Sequence, residues 1–220
     1  NIITGKIMPD AGNITWSRHV TVGYLDQHSV LKKGMTIREV LRTAFNHMYE
    51  LEAEMMKLYE DMAEADPEKI DEMMEDAGEI QGILESSGFY QLDAKIEEVA
   101  NGLGLGDVGL DRDVTDLSGG QRTKVLLTKL LLSDPSILIL DEPLSGVDVE
   151  GQTGLMDMLD EIRKRFDLSI LMTTHDFGML EYYADKVVLI DHAILKKGNP
   201  AEVLESAEFR SVFHRKGGRV

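Results

Sequence analysis

An apolar run that stops on two carboxylates, Ile137-Leu138-Ile139-Leu140-Asp141-Glu142, is the most chemically suggestive stretch of this 220-residue sequence. Continuous apolar runs are what strands buried on both faces of a parallel sheet look like. In open α/β sheets the functional groups gather beyond the carboxyl ends of such strands. There, a first carboxylate can hold a magnesium ion or its water, and a second can orient or deprotonate an attacking water, which is what phosphoryl transfer asks of a protein. Two further runs, residues 20–25 and Ser169–Thr173, lead into polar side chains at Gln27 and His175, so Gln27, Asp141, Glu142 and His175 can converge on one site. A separate feature, Ser118-Gly119-Gly120-Gln121, opens a strongly apolar helix. Its free backbone N–H groups, two glycines that permit close approach and one hydroxyl make an anion site suited to a phosphate. Taken singly, each feature also has a plain reading: helix capping for Ser118 with Gln121, a strand-end cap for Gln27, and a buried, satisfied histidine for His175.

Elements able to position these groups follow from periodicity. Gly5 reads as the closing residue of a helix, and residues 14–16 and 20–25 read as short strands separated by a turn. From Thr36, spaced with Glu39 as a capping box, apolar residues recur every three or four positions through Leu41, Met48, Met55 and Met62, which predicts one helix. Asp66 and Pro67 supply the N-cap and first residue of a second helix, with Ile70, Met73, Met74, Ala77, Ile80 and Leu84 on its apolar side. The pair predicts an antiparallel hairpin whose Met-rich stripe is the seam between the helices, with a partner groove as the other reading. A Gly-rich connector, 101–109, precedes Leu117. A helix from Glu150 to Phe166, a second buried strand at Ser169–Thr173 and a short helix after Asp176 give the strand, helix, strand alternation of an α/β fold. Residues 186–190 and 193–196 flank Asp191-His192 as a hairpin, and Asn199, Pro200 and Glu202 open a terminal helix.

Composition narrows the function classes. The formal net charge is -17, and residues 50–98 alone hold 17 Asp and Glu against 3 Lys and Arg. That field repels phosphate backbones and argues against a broad nucleic-acid surface, while leaving room for contact with a basic protein. There is no cysteine, hence no disulfide framework, which fits a reducing, cytoplasmic setting. No run of eighteen apolar residues occurs and residues 1–10 do not read as a signal peptide, so no membrane span is expected. The start without Met, in mid-pattern, reads as that of a piece of a longer protein.

The order and spacing of Leu117-Ser118-Gly119-Gly120-Gln121, Ile137 to Glu142, Asp148 and His175 resemble the signature, Walker B, D-loop and switch-histidine series of ABC ATPases, and Gln27 falls where that family has its Q-loop glutamine. The resemblance covers essentially the whole chain. It implies an α/β, P-loop NTPase-like ABC cassette with a mostly parallel sheet, antiparallel N-terminal strands and a helical subdomain bearing a helical-hairpin insertion. One nucleotide-binding domain would span 1–220, with a helical subdomain at 36–132 that includes the acidic hairpin at 36–97. ATP and Mg²⁺ are the implied cofactors. Asp141, with Gln27, would support the metal, Glu142 would polarise the hydrolytic water, and His175 would contact the γ-phosphate. Gln27 would also link metal and water to the moving helical subdomain. Ser118, Gly119, Gly120 and Gln121 would close over ATP held by a second cassette in a head-to-tail dimer, with Asp148 at the seam. One departure stands out: no G-x-x-x-x-G-K-[S/T] sequence occurs in the 220 residues. The phosphate loop is therefore expected upstream, and the chain alone is expected to bind ATP poorly and hydrolyse it negligibly.

Within the family the two halves resemble different branches. Leu25-Asp26-Gln27-His28, the acidic insertion and the run from Leu117 to Val125 look like the first cassette of an ABC-F protein, the soluble, ribosome-associated branch, in which the insertion is the arm. From Leu144 onward, Leu144-Ser145-Gly146-Val147-Asp148 replaces the Thr-Asn-His-Leu-Asp of that branch, and Thr174-His175-Asp176 stands where Ser-His-Asp is usual. The ending, 184–190 and 198–204, is similar to ATP-binding subunits of importers for metals and other small solutes. These features predict an ABC-F-like, ribosome-associated translation factor, with a junction near Glu142-Pro143 that suggests a chimera. The alternatives are the ATP-binding subunit of a metal or solute transporter, working under a membrane permease, and a catalytically incompetent fragment.

Overall fold

Three strands carry the candidate carboxylates and set their direction. The computed structural model describes residues 2–3, 5, 7–26 and 31–213. In it β1 (Val22–Leu25), β2 (Ile137–Asp141) and β3 (Ser169–Thr173) form a sheet in the order β1-β2-β3. β1 and β2 run parallel, Val22 opposite Ile137 and Leu25 opposite Leu140, so the chain leaves both strands at the same end, on Asp26 and Asp141. Gly23 allows this pairing to sit tightly, because a Cβ there would stand 2.9 Å from Leu138 Cδ2. The apolar run of β2 is buried at Leu138, Ile139 and Leu140, as a strand covered on both faces must be. β3 departs from the expected buried strand: Ser169, Leu171 and Thr173 are exposed, because it is an edge strand among the described residues and only alternate side chains are covered. The expected antiparallel N-terminal strands do not form among the described residues: residues 14–16 are no strand, with Ile14 and Trp16 exposed, and the run at 20–25 pairs instead in parallel with the buried β2.

The helical part begins where the capping box predicts. Thr36 caps α1 (Ile37–Arg42), and its Oγ1 accepts from the Glu39 N–H while Glu39 Oε2 accepts from the Thr36 N–H. The expected single helix is interrupted by a 3₁₀ turn at Thr43–Phe45, where the Thr43 hydroxyl donates to the Val40 carbonyl and the chain turns before α2 (Asn46–Met62). α2 and α3 (Pro67–Ser86) pack as the predicted hairpin. Asp66 has N-cap backbone geometry, but its side chain makes no capping bond; Lys69 N–H instead donates to the Asp66 carbonyl at 2.9 Å. Met55 is buried in the seam, as expected, whereas Met56 and Met74 are exposed. α4 (Leu92–Gly102) closes on α1 through a two-pronged Arg42–Asp93 pair, 2.8 and 2.6 Å, and an Arg38–Glu97 pair at 2.8 Å. Ile37, Leu41, Leu84, Ile96, Val125 and Leu132 belong to one apolar core that joins these helices to α5 (Gly119–Leu131). α6 (Val149–Phe166) follows β2.

The chain divides into two compact units, Asn1–Met172 and Thr173–Val220. The second contains α7 (Leu180–Tyr183), an antiparallel pair of β4 (Val187–Asp191) and β5 (Ala193–Gly198) that turns at His192, then α8 (Pro200–Leu204) and α9 (Ala207–Phe213). Asn199 and Glu202 form the expected capping box of α8, and Phe177, Phe209 and Phe213 cluster with ring centroids 4.5 to 5.0 Å apart.

Candidate phosphoryl-transfer site

Asp141 is the last residue of β2 and Glu142 the first beyond it, both half-buried. Glu142 takes a left-handed backbone, φ 47, which a residue with a side chain adopts only at a cost of about 1–3 kcal/mol and which clusters at functional sites. That turn lifts the chain out of the strand and into two consecutive tight turns, with Ser145 N–H donating to the Glu142 carbonyl at 3.0 Å and Val147 N–H to the Leu144 carbonyl at 3.1 Å. Leu144 and Val147 are buried and anchor the loop, while Gly146 supplies a second left-handed position at φ 75. The loop ends at Asp148, exposed and in N-cap geometry for α6 but without a side-chain capping bond; Gln152 Nε2 donates to the Val147 carbonyl at 3.1 Å and fixes the junction.

The same loop meets the start of α5. Ser118 is the N-cap: Gln121 N–H donates to Ser118 Oγ at 3.3 Å and Ser118 N–H donates to Gln121 Oε1 at 3.0 Å. The box satisfies Gln121, and the N–H groups of Gly119 and Gly120, at the first two helical positions, have no acceptor within the helix. A Cβ on Gly119 would overlap the carbonyl oxygen of Gly146, and one on Gly120 would stand 3.4 Å from Val147 Cγ1. The fold thus brings Gly119 and Gly120, between Ser118 and Gln121 of the capping box, to the loop that joins Glu142 to Asp148. The sequence reading missed this contact, because only the pairing of two small residues, Gly119 and Gly146, hints at it. It also gave no role to Asp26, which the parallel register places at the same sheet end as Asp141.

His175 lies in the second unit, exposed rather than buried, just before a turn in which Asp176 N–H donates to Thr174 Oγ1 at 3.0 Å and Gly178 N–H to Asp176 Oδ1 at 3.0 Å. Gln27 lies outside the described residues. Among the described residues no group of three or more carboxylates and histidines is placed to hold a metal. The oxygen donors at the sheet end nonetheless fit magnesium, which is bound through one or two carboxylates together with substrate phosphates rather than in an all-protein cage.

The family model described as ABC transporter matches residues 1–145. Among curated proteins, the chain is 47% identical over 197 residues to the ABC transporter ATP-binding protein YfmM of Bacillus subtilis (strain 168), covering 90% of the chain and 37% of that protein. It is 37% identical over 187 residues to the ATP-binding protein YdiF of the same organism, covering 85% of the chain and 28% of that protein. The chain therefore spans about a third of the length of these relatives. The YfmM match crosses residues 142–143, so a join of two parents is not needed to explain the sequence. Among solved structures, an inward-facing metal-chelate type ABC transporter superposes with a TM-score of 0.69 at 19% identity, covering 97% of the chain and 70% of that one. CbiO1 from Clostridium perfringens, part of the ABC transporter complex CbiONQ, superposes with a TM-score of 0.61 at 22% identity, covering 98% and 78%. Both show the same fold: a parallel sheet with helices, the α/β architecture of an ABC cassette.

Proposed function

The chain belongs to the ABC transporter superfamily of ATP-binding cassettes, and from that premise we propose that it is the ATP-hydrolysing part of a transporter's ATP-binding subunit, working in pairs beneath a membrane permease. The names of YfmM and of both solved structures favour this role over the ribosome-associated one expected from the front half of the sequence. No helix among the described residues is long and apolar enough to cross a membrane, so in this reading the permease supplies the span.

In the proposed mechanism Asp141 and Gln27 would hold magnesium, which would supply charge neutralisation on the phosphates. Glu142 accepts a proton from the attacking water and aligns it. His175 donates to the γ-phosphate, and Gln27 ties the site to the helical subdomain at 36–132. The free N–H groups at Gly119 and Gly120 bind the γ-phosphate of ATP held by the partner copy, with Asp148 at the seam. The observation that carries this reading is the strained Glu142 at the end of a buried strand, followed by a short loop that packs against the start of α5. The test is a protein carrying this chain together with a G-x-x-x-x-G-K-[S/T] loop, with and without Glu142→Gln. Loss of at least about 100-fold in ATP turnover with ATP binding retained supports the role of Glu142; turnover at the parent rate removes it.

A second reading, the ribosome-associated ABC-F factor, is favoured by the α2–α3 hairpin, which stands as an acidic insertion between β1 and α5. Co-sedimentation with ribosomes, absent for the permease reading and present for this one, separates the two.

A further inference from the structure

Three apolar side chains are exposed together on one face of the α2–α3 hairpin. Met56 is 53% exposed, Tyr59 44% and Met74 59%. On α2 the buried Met55 marks the inward direction, and at 3.6 residues per turn Tyr59 lies about 40° and Met56 about 100° round the axis from it. On α3 the fully buried Ala77 marks the inward direction, with Met74 about 60° from it. Seen down a common axis, antiparallel helices wind in opposite senses, so these rotations fall on the same side of the hairpin. The short connection between Met62 and Pro67 brings the end of α2 level with the start of α3, which sets Met56 and Tyr59 beside the turn of α3 that carries Met74.

The surround of this patch is anionic. By the same helical geometry Glu52, Glu60, Asp71 and Glu75 lie on the side of the patch, whereas Lys57 and Lys69 turn to the opposite side. Carboxylates there repel nucleic-acid phosphates and anionic lipid. They also repel a second copy of this chain, which would bring the same charges. A bare cation is not a match either, since the centre is apolar and no metal-sized cluster of acids is found among the described residues. We propose that this face docks a basic amphipathic segment of another protein. That segment would lay its apolar stripe on Met56, Tyr59 and Met74 and place lysines or arginines against the flanking acids. Methionine suits such a surface because its unbranched, polarizable side chain adapts to the stripe it meets. This surface is separate from the nucleotide chemistry, so the failure of one reading leaves the other intact.

Fluorescence anisotropy on the 220-residue chain tests it with three labelled probes: a synthetic Leu–Lys amphipathic helix, a Lys–Gly peptide of equal charge without an apolar side, and single-stranded RNA. The Leu–Lys helix is expected to bind at least about tenfold tighter than the Lys–Gly peptide. The Met56→Ser, Tyr59→Ser, Met74→Ser triple variant should lose about tenfold or more of that affinity. A charge variant, Glu52→Gln with Glu60→Gln, Asp71→Asn and Glu75→Gln, leaves the apolar patch in place and should weaken binding and its salt dependence. Equal affinity for the two peptides, undiminished binding by both variants, or binding of the RNA in place of the Leu–Lys helix would overturn the proposal.

Discussion

At Gly119 the backbone has no room for a side chain: the Gly146 carbonyl occupies the place where a Cβ would be, and a backbone atom cannot rotate away as a side chain can. Gly119→Ala is therefore expected to destabilise the protein by about 1–3 kcal/mol in chemical denaturation. Gly120→Ala, whose Cβ would meet only Val147 Cγ1 at 3.4 Å, should be tolerated, the gain in helix propensity offsetting the tight contact to within about 1 kcal/mol. Equal cost for the two substitutions would contradict the contact. Ser118→Ala removes one arm of the capping box and should cost about 1 kcal/mol in the same measurement. The box itself was legible, because Ser118 and Gln121 are three residues apart and cap one helix. The use of Gly119 was not, since its partner lies beyond a helix and a strand and carries no side chain that could signal the approach.

Among the elements, the hairpin and α4 carry the clearest tests. Leu84 is fully buried where α3 joins the apolar core, and Leu84→Ala should cost about 2–5 kcal/mol, read as a lower denaturation midpoint. Hydrogen bonds from Arg42 hold the Asp93 carboxyl below its ordinary pKa of 3.8, with the Arg42 charge adding to the effect. A carboxylate favoured by folding contributes stability that is present above its unfolded pKa and lost as pH falls through the folded one. Acidification below about pH 4 should thus loosen the α1–α4 contact, and Asp93→Asn should flatten that part of the stability-versus-pH curve. An unchanged curve would show that the pair contributes nothing measurable, as surface pairs often do. Three capping boxes, at Thr36, Ser118 and Asn199, formed as their spacing predicted. The break at Thr43–Phe45 was invisible because the apolar stripe continues in step across it, and only the local turn of the Thr43 hydroxyl back to Val40 marks it. The exposure of β3 was hidden too: an apolar run reports what a strand is able to bury, and its position in the sheet decides what is buried.

On the scale of the whole molecule, the α/β class was legible, since apolar runs alternate with amphipathic helices, whereas the parallel pairing of β1 with β2 was not, the N-terminal strands having been expected to be antiparallel. The partner was not, because a hairpin of acidic helices reads alike whether it serves a permease, a ribosome or a solvated surface. The central proposition is that each reacting centre is divided between two copies, Glu142 from one and the Ser118 helix start from the other. Mixing two inactive variants of a protein that carries this chain and a G-x-x-x-x-G-K-[S/T] loop tests it directly: Glu142→Gln in one, Ser118→Glu, which sets a negative charge against phosphate, in the other. In head-to-tail pairs half the dimers are mixed, and each mixed dimer regains one intact site, so ATP turnover should return to about a quarter of the parent rate. Turnover that stays at the level of the separate variants, in a preparation shown to exchange subunits, would place both groups in the same copy and contradict the account.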